Sequence, residues 1–481
     1  MLWLSVYLPH LSLERLLRGG VEDTGGQPLV VYTSNGSGQW IHARNRAAAR
    51  LGIAPGMSLG AAASLADTLH SHVYDPDAEL AALQGIAAWA EQFTSTISLQ
   101  PPQGLLLEIE GSLSLFGGAE SLRSRVVRGL RELGYRPRTA VAPTPLGAWL
   151  LARAAYSRPV TDRTVLAAIL RQLPIEILER PEYLLQSLRA MGMRTIGDCL
   201  HLPRAGLARR LGPEFVQYLD RALGRIPEPR PAFRQPQRFQ RQLTLPAEVS
   251  ATEALLFASR RLLLELSGFL SARGKGVQQI RLALLHHHAS PTRLDLGLVR
   301  PSRDAEHLLG LLRERLERLE LRAPVAGIGL EAEHLATLNE DNRDLFTAAR
   351  SQRQDWPQLV ERLRARLGHD AVRGVAPVAE HRPERAWRYC DPGQFHDSGG
   401  NPARPLWLLR RPEPLKVCEG LPWLDGRLLL ERGPERIESG WWDGRDAARD
   451  YFVARNEQHE RFWVFRELRK PGRWFLHGVF G

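Results

Sequence analysis

Residues 1–17, MLWLSVYLPHLSLERLL, hold the reading on which the fold turns. Leu2 to Leu8 read as a buried strand, Pro9 as a sharp turn, and the leucine-rich segment that follows as an amphipathic helix. A strand-to-helix corner of this kind often presents a catalytic side chain. This one offers Ser5, Tyr7 and His10, with no acid before Glu14.

Working outward, residues 1–150 alternate strands (PLVVYT, GLLLEIEG, RTAVAP) with helices (ARNRAAARLG, AELAALQGIAAWAEQF), an α/β or α+β unit. Residues 165–230 read as helical. Within them MGMRTIGDCLHLPRAGLARRLG holds two short helices, with Gly192 placed for a left-handed helix end and Thr195/Asp198 spaced as a capping box. The Pro/Arg-rich RIPEPRPAFRQPQRFQ marks a boundary. Residues 238–332 follow as a small α+β unit with one sheet and helices on one face. Residues 336–384 are polar, apart from a helix expected to start at Asp355 and end at Gly368. Residues 385–481 carry seven of the twelve tryptophans and read as a β-rich module.

No apolar run approaches the roughly 18 residues of a membrane span, and no signal peptide is apparent, so a cytoplasmic protein without a membrane partner is expected. Cys199, Cys390 and Cys418 are odd in number and far apart, which suits reduced thiols and neither a disulfide framework nor a zinc site. Net charge is +11, and the surplus is uneven: residues 151–250 hold 16 Arg against 9 acidic residues, whereas residues 1–150 hold 11 against 12. A basic block of this kind is the footprint of a polyanion, here nucleic acid.

The helix–glycine–helix around residue 192 is built to hold phosphate on backbone N–H groups without reading bases. Its candidate DNA contacts are Gly192, Arg194, Thr195, Gly197, Arg204, Arg209 and Arg210. An ordinary helical hairpin would carry the same apolar positions. His286 and His288 share a strand face but lack an acid or cysteine at ligand spacing, so no metal is expected there. Cys199 reads as core. The peptide NRDLF at 342–346 has the acidic–apolar–aromatic form that inserts two anchors into a hydrophobic groove. QLTLP, Gln242–Pro246, is similar but begins a domain and belongs to a strand.

These segments together resemble Y-family DNA polymerases over residues 1–335 and, over the whole chain, the ImuB group of polymerase-like proteins. The fingers are matched by ARNRAAARLGIAPGM, the palm strand by LLLEIEGSLSLFGG and the thumb by the helix–glycine–helix. RPLWLL, GWWDGRDAARDYFVA and RWFLHGVFG match the ImuB tail, which ordinary Y-family polymerases lack. The resemblance implies an α+β multidomain chain with right-hand architecture. Palm and fingers would span 1–165, a helical thumb 166–232, an α+β little finger 238–335, a flexible linker with a clamp-binding peptide 336–384, and a β-rich C-terminal partner-binding module 385–481.

It also implies where a polymerase would keep its carboxylates. The three metal-holding acids of an active palm fall on Ser5, Gln103 and Gly104, and the triphosphate contacts of fingers and palm on Arg46, Ala49 and Trp149. Two magnesium ions need anionic ligands, and Ser, Gln and Gly supply none. The resemblance therefore leads to a non-catalytic scaffold with no cofactor and no metal. It would bind primer–template DNA and, through Asp344, Leu345 and Phe346, the sliding clamp; Asn342 and Arg343 replace the usual Gln-Leu of the clamp consensus. Its other partners would be a RecA-like ImuA accessory protein and an error-prone C-family DNA polymerase. Two alternatives stay open: an active translesion polymerase using Glu14, Glu108 or Glu110, and a DNA-binding repair protein without clamp contact.

Overall fold

The computed structural model describes residues 1–20, 27–234, 236–338, 351–393, 404–405, 407–444, 446–469 and 472–480. The chain divides into two compact units, Met1–Arg353 and Gln354–Gly481.

The first unit opens with β1 (Trp3–Tyr7) and α1 (Leu11–Leu17). Side chains alternate across a strand, so Leu4 and Val6 face one side and Trp3, Ser5 and Tyr7 the other. All but Tyr7 are buried, and both faces are therefore covered. A small sheet follows in the order β3-β2-β4, from β2 (Leu29–Asn35), β3 (Gly38–Arg44) and β4 (His70–Val73), with short helices α2 (Arg46–Arg50) and α3 (Leu59–Ala63). Asn45 starts α2 by accepting the Ala48 N–H at 2.9 Å. Next come α4 (Pro76–Ala90), β5 (Ile97–Gln100), β6 (Gly104–Glu108), α5 (Leu113–Phe116), α6 (Ala119–Glu132), β7 (Arg138–Ala142) and α7 (Pro145–Arg153).

The strands β5-β6-β1-β7 form one antiparallel sheet. Leu4, Val6, Leu105, Leu107 and Val141 join a core with α4 and α6. Trp3, Leu106, Ala140 and Ala142 join a second core with α7 and the helices after it. Those are α8 (Arg163–Gln172), α9 (Glu182–Ala190), α10 (Ile196–His201), α11 (Arg204–Leu211) and α12 (Pro213–Ala222).

The rest of this unit is a sheet in the order β10-β9-β11-β8 against two helices. Its elements are β8 (Phe239–Val249), α13 (Thr252–Arg273), β9 (Lys275–Leu285), β10 (Thr292–Ser302), α14 (Ala305–Leu316) and β11 (Val325–Ala332), with β12 (Leu335–Thr337) pairing β9. Gln242–Pro246 lies inside β8, where Gln242, Leu243 and Thr244 pair with Gly329, Ile328 and Gly327. β9 ends at Leu285, so His286 stands in the turn and not on the strand; its ring nitrogens lie 2.9 Å from the Pro324 carbonyl and the Thr292 hydroxyl.

Two glycines let α13 pack onto the first sheet's helices. The Trp89 indole of α4 fills the space above Gly129 of α6 and Gly268 of α13; a Cβ at either would come within 3.0 Å of the ring. Beside it Arg18 is buried, pairing with Glu265 of α13 and donating to the Tyr135 hydroxyl and the Leu133 carbonyl, each at 2.6 Å. A buried guanidinium is tolerated because every contact is hydrogen-bonded and one is ionic.

Helix α15 (Ser351–Leu367) runs from the last residues of the first unit into the second; it begins before residue 355, so the helix start expected at Asp355 is overridden, and Pro357 sits inside the helix. β13 (Gly374–Pro377) pairs with β14 (Trp387–Cys390). The polar stretch 336–384 thus holds regular elements that its low apolar content hid. Six antiparallel strands follow: β15 (Trp407–Cys418), β16 (Leu421–Trp423), β17 (Leu429–Ser439), β18 (Ala447–Arg455), β19 (Arg461–Glu467) and β20 (Trp474–Val479), in the order β16-β15-β20-β19-β18-β17. Trp463 and Trp474 are core, whereas Trp407, Trp441 and Trp442 are exposed. Trp463 stacks on Tyr451 at 4.1 Å between centroids, and the Tyr451 hydroxyl lies 2.8 Å from His477 Nδ1. Among the described residues no helix is long and apolar enough to cross a membrane.

Candidate functional site

The register of the first sheet places Ser5 opposite Leu106 and Tyr7 opposite Gly104, so all four residues line one face. Ser5 is 0% exposed, and its Oγ has no hydrogen-bond partner. Gln103 precedes β6, and its carbonyl accepts the Leu8 N–H at 2.8 Å, which fixes the turn after β1. Over this floor lies Trp149 of α7, 1% exposed. A Cβ at Gly104 would fall within 3.0 Å of its indole. The ring meets Tyr7 edge-on at 5.2 Å, and its Nε1 donates to Glu179 Oε2 at 2.9 Å. Arg153 holds the same Glu179 at 2.6 Å. The place where the resemblance puts carboxylates is thus an aromatic plug on a glycine floor, and a side chain at 104 and the indole at 149 exclude one another.

The other acids do not converge there. Glu108 pairs with Trp3, four residues along β6 from Gly104, or about 13 Å at strand rise. Its Oε1 accepts the Glu110 N–H at 3.2 Å. Glu14 lies on α1, 8% exposed, with Oε1 accepting the Arg136 N–H at 3.1 Å. Burial pushes its pKa up to about 7, against the opposing Arg136 and Arg18. A two-metal site needs ligands around ions about 3.5–4 Å apart. Among the described residues no three His, Cys, Asp or Glu side chains form a group able to hold a metal ion.

Arg46 and Ala49 do not face Trp149's plug. They line a cavity of about 890 Å³ with His10, Glu14, Arg136 and Arg261, while Trp149 is absent from its wall.

In the thumb-like hairpin, Gly192 has φ 78° and ends α9, and the Thr195–Asp198 capping box is present. Leu188 and Ile196 are buried, with Met191 and Leu200 packed against the same core. Cys199 is core, its thiol pushed up to about 11 by burial. The expectation of free turn amides needs correction: Arg194 N–H and Thr195 N–H both donate to Asp198 Oδ2 at 2.9 Å. Gly197 is a packing residue, where a Cβ would fall 2.8 Å from the Arg171 carbonyl. Arg204 pairs with buried Asp220, at 2.8 Å through its Nη1. That leaves the exposed guanidiniums of Arg194, Arg209 and Arg210 as the outward cations of the hairpin; Arg210 also touches the Met191 sulfur at 3.4 Å. Asp344, Leu345 and Phe346 lie outside the described residues.

Sequence reading missed the arginine-lined cavity and the Arg18–Tyr135–Glu265 junction. Arg18 and Glu265 alone are 247 positions apart, and no local pattern links the residues of either.

Residues 12–153 match the family model described as impB/mucB/samB. Protein ImuB of Caulobacter vibrioides, in two strains, is 30% identical over 465 residues, which is 90% of this chain and 100% of the relative. Among solved structures, DinB from Sulfolobus solfataricus aligns over 70% of this chain and 100% of its own at 17% identity and TM-score 0.41. An insertion ternary complex of Dbh DNA polymerase aligns over the same shares at 16% and 0.42. The matched domain is that of the impB/mucB/samB family, and in this chain a β-rich module follows it. The chain belongs to the ImuB family.

Proposed function

We propose that this protein is a non-catalytic polymerase-like scaffold for damage-induced mutagenesis and translesion synthesis. It binds primer–template DNA and the sliding clamp, and it brings in a C-family error-prone polymerase with the RecA-like accessory protein. The observation that carries the reading is the Trp149 indole lying on Gly104 beside the buried, unpaired Ser5. A palm filled in this way has neither the anionic ligands nor the room for two magnesium ions and a triphosphate, so synthesis falls to the recruited enzyme.

DNA is gripped at phosphates by Arg194, Arg209 and Arg210, and binding is therefore salt-sensitive and sequence-tolerant. Leu345 and Phe346 enter the clamp groove, with Asp344 beside them. Several weak sites on one chain raise local concentration without any one being strong. The reading in which Gln242–Pro246 also docks on the clamp is disfavoured, because that segment is paired inside β8.

The test is a clamp pull-down with the full chain, alongside primer–template binding by fluorescence anisotropy across a salt series. The Leu345→Ala/Phe346→Ala variant should lose the clamp and keep DNA. Arg194→Ala should weaken DNA binding and lower the salt slope by about 1. Clamp capture unaffected by the double change, or DNA binding indifferent to salt, would refute the scaffold reading.

A further inference from the structure

In the second unit a group of aromatic rings stands in solvent. Trp387 and Tyr389 lie two apart on β14 and therefore share a face; they are 46% and 59% exposed. Across the ribbon Pro377 pairs with Trp387, and Val375 with Tyr389. Trp441 and Trp442 occupy the turn after β17, 79% and 61% exposed. Each pair of rings meets edge-on, at 5.3 Å between centroids for Trp387 and Tyr389 and at 5.6 Å for Trp441 and Trp442. None of the four packs into the cores of the six-stranded sheet. Single exposed apolar residues are ordinary, but a gathering of four aromatics marks a contact surface.

The rings are held in place. The buried Arg382 guanidinium pairs with Glu380 at 2.8 Å and with Asp443 at 2.9 Å, and so ties the chain ahead of β14 to the turn that carries both tryptophans. It also lies 5.7 Å from the Trp442 ring centroid, and Arg385 pairs with the same Asp443. The two pairs of rings thus belong to one pinned surface. That surface is basic. Residues 371–390 hold four arginines against two acids, and both acids are engaged, Glu380 by Arg382 and Glu384 by Arg449 at 3.2 Å. Arg388 is exposed and makes no ion pair among the described residues. Arg373 lies 5.3 Å from the Tyr389 ring centroid; its ion partner at 3.3 Å, Asp370, is 89% exposed, so that pairing is weak and leaves the cation available.

We propose that Trp387, Tyr389, Trp441 and Trp442 form a stacking platform for single-stranded DNA, with Arg373 and Arg388 on its phosphates. Every base has a flat π-face, so exposed rings stack on unpaired bases with little regard to sequence, while guanidiniums neutralise the backbone. A duplex keeps its base faces against one another, so the platform selects unpaired strand. Rings and available cations on one surface answer bases and phosphates together, which favours a nucleic acid over a protein partner. The choice of DNA over RNA rests on the reading above of a chain that grips primer–template. The platform belongs to the second unit and the thumb-like hairpin to the first, so the two sites can be tested separately.

Fluorescence anisotropy of the full chain with labelled oligo(dT) of about 16 nucleotides tests the proposal. Expected is saturable binding that falls at least about tenfold in Trp387→Leu/Trp441→Leu, which keeps apolar bulk and removes two ring faces. Trp387→Phe/Trp441→Phe keeps the faces and should stay within about threefold of wild type. Both positions are exposed, so folding should survive; unchanged circular dichroism checks this. Arg373→Ala should lower the salt slope by about 0.7. Blunt duplex DNA should bind the leucine variant as tightly as wild type, and oligo(U) of the same length should bind wild type no more tightly than oligo(dT). If wild type fails to bind duplex while the oligo(dT) difference persists, the hairpin reading falls and the platform stands. No saturable oligo(dT) binding would overturn the assignment. So would a leucine variant that binds oligo(dT) as tightly as wild type, the result expected if the rings dock a protein instead, and so would tighter binding of oligo(U).

Discussion

Gly104→Ala should be among the most costly single-methyl additions in this protein, although alanine is a modest residue. The backbone is not the obstacle, since Gly104 is absent from the positive-φ positions. In the unfolded chain alanine would even favour folding by about 0.4–1 kcal/mol. The obstacle is Trp149: the new Cβ would sit within 3.0 Å of an indole that is 1% exposed, edge-on to Tyr7 and hydrogen-bonded to Glu179. Overpacking of this kind costs about 1–3 kcal/mol, and the fixed ring places this site at the upper end. Trp149→Ala alone should cost about 3–5 kcal/mol through the cavity it leaves. In the double variant the methyl enters that cavity, so the combined loss should fall short of the sum by about 1–3 kcal/mol. Urea unfolding of the four proteins, followed by far-UV circular dichroism, measures this coupling. A neutral Gly104→Ala, or costs that simply add, would mean that the indole does not occupy the palm floor.

Glu265→Ala should destabilise the first unit by about 3–5 kcal/mol, because it leaves the Arg18 guanidinium buried without its counter-ion. Limited proteolysis and urea melts would show it, and a loss below about 1 kcal/mol would count against that junction. In the second unit, burial pushes the His477 pKa down to about 4, from an ordinary 6.5. The folded state favours the neutral ring, so the stability it contributes is complete above about pH 6.5 and is lost as pH falls through 4. The full effect is on the order of 3 kcal/mol. Thermal melts from pH 7 to 4 should show a steeper acid decline for wild type than for His477→Gln; parallel curves would remove His477 from the account.

The strands and helices that position the palm floor were legible because their signals are local. β1 and β6 are apolar runs, the Thr195–Asp198 box has fixed spacing, and Gly192 ends a helix in the left-handed conformation. Ser5, Gln103 and Gly104 came only from the resemblance, since uncharged residues in and beside a strand form no pattern of their own. What Trp149 does there was less accessible. Its contact with Gly104 joins α7 to β6 and depends on how the helix crosses the sheet. The hairpin amides were misjudged for a related reason: Asp198, read as a helix cap, also takes the N–H groups that a phosphate would need. The helix in the polar stretch after residue 350 was placed too late, because Asp355 and Pro357 together mimic a helix start.

Primer extension by the purified full chain, on an undamaged and a lesion-bearing template with magnesium and then manganese, tests the central claim most directly. The plugged palm predicts no template-directed incorporation with either ion, while the same preparation still binds the primer–template. Incorporation that follows the template and disappears in Glu14→Gln or Glu108→Gln would show that the palm works with other acids, and the scaffold account would be wrong.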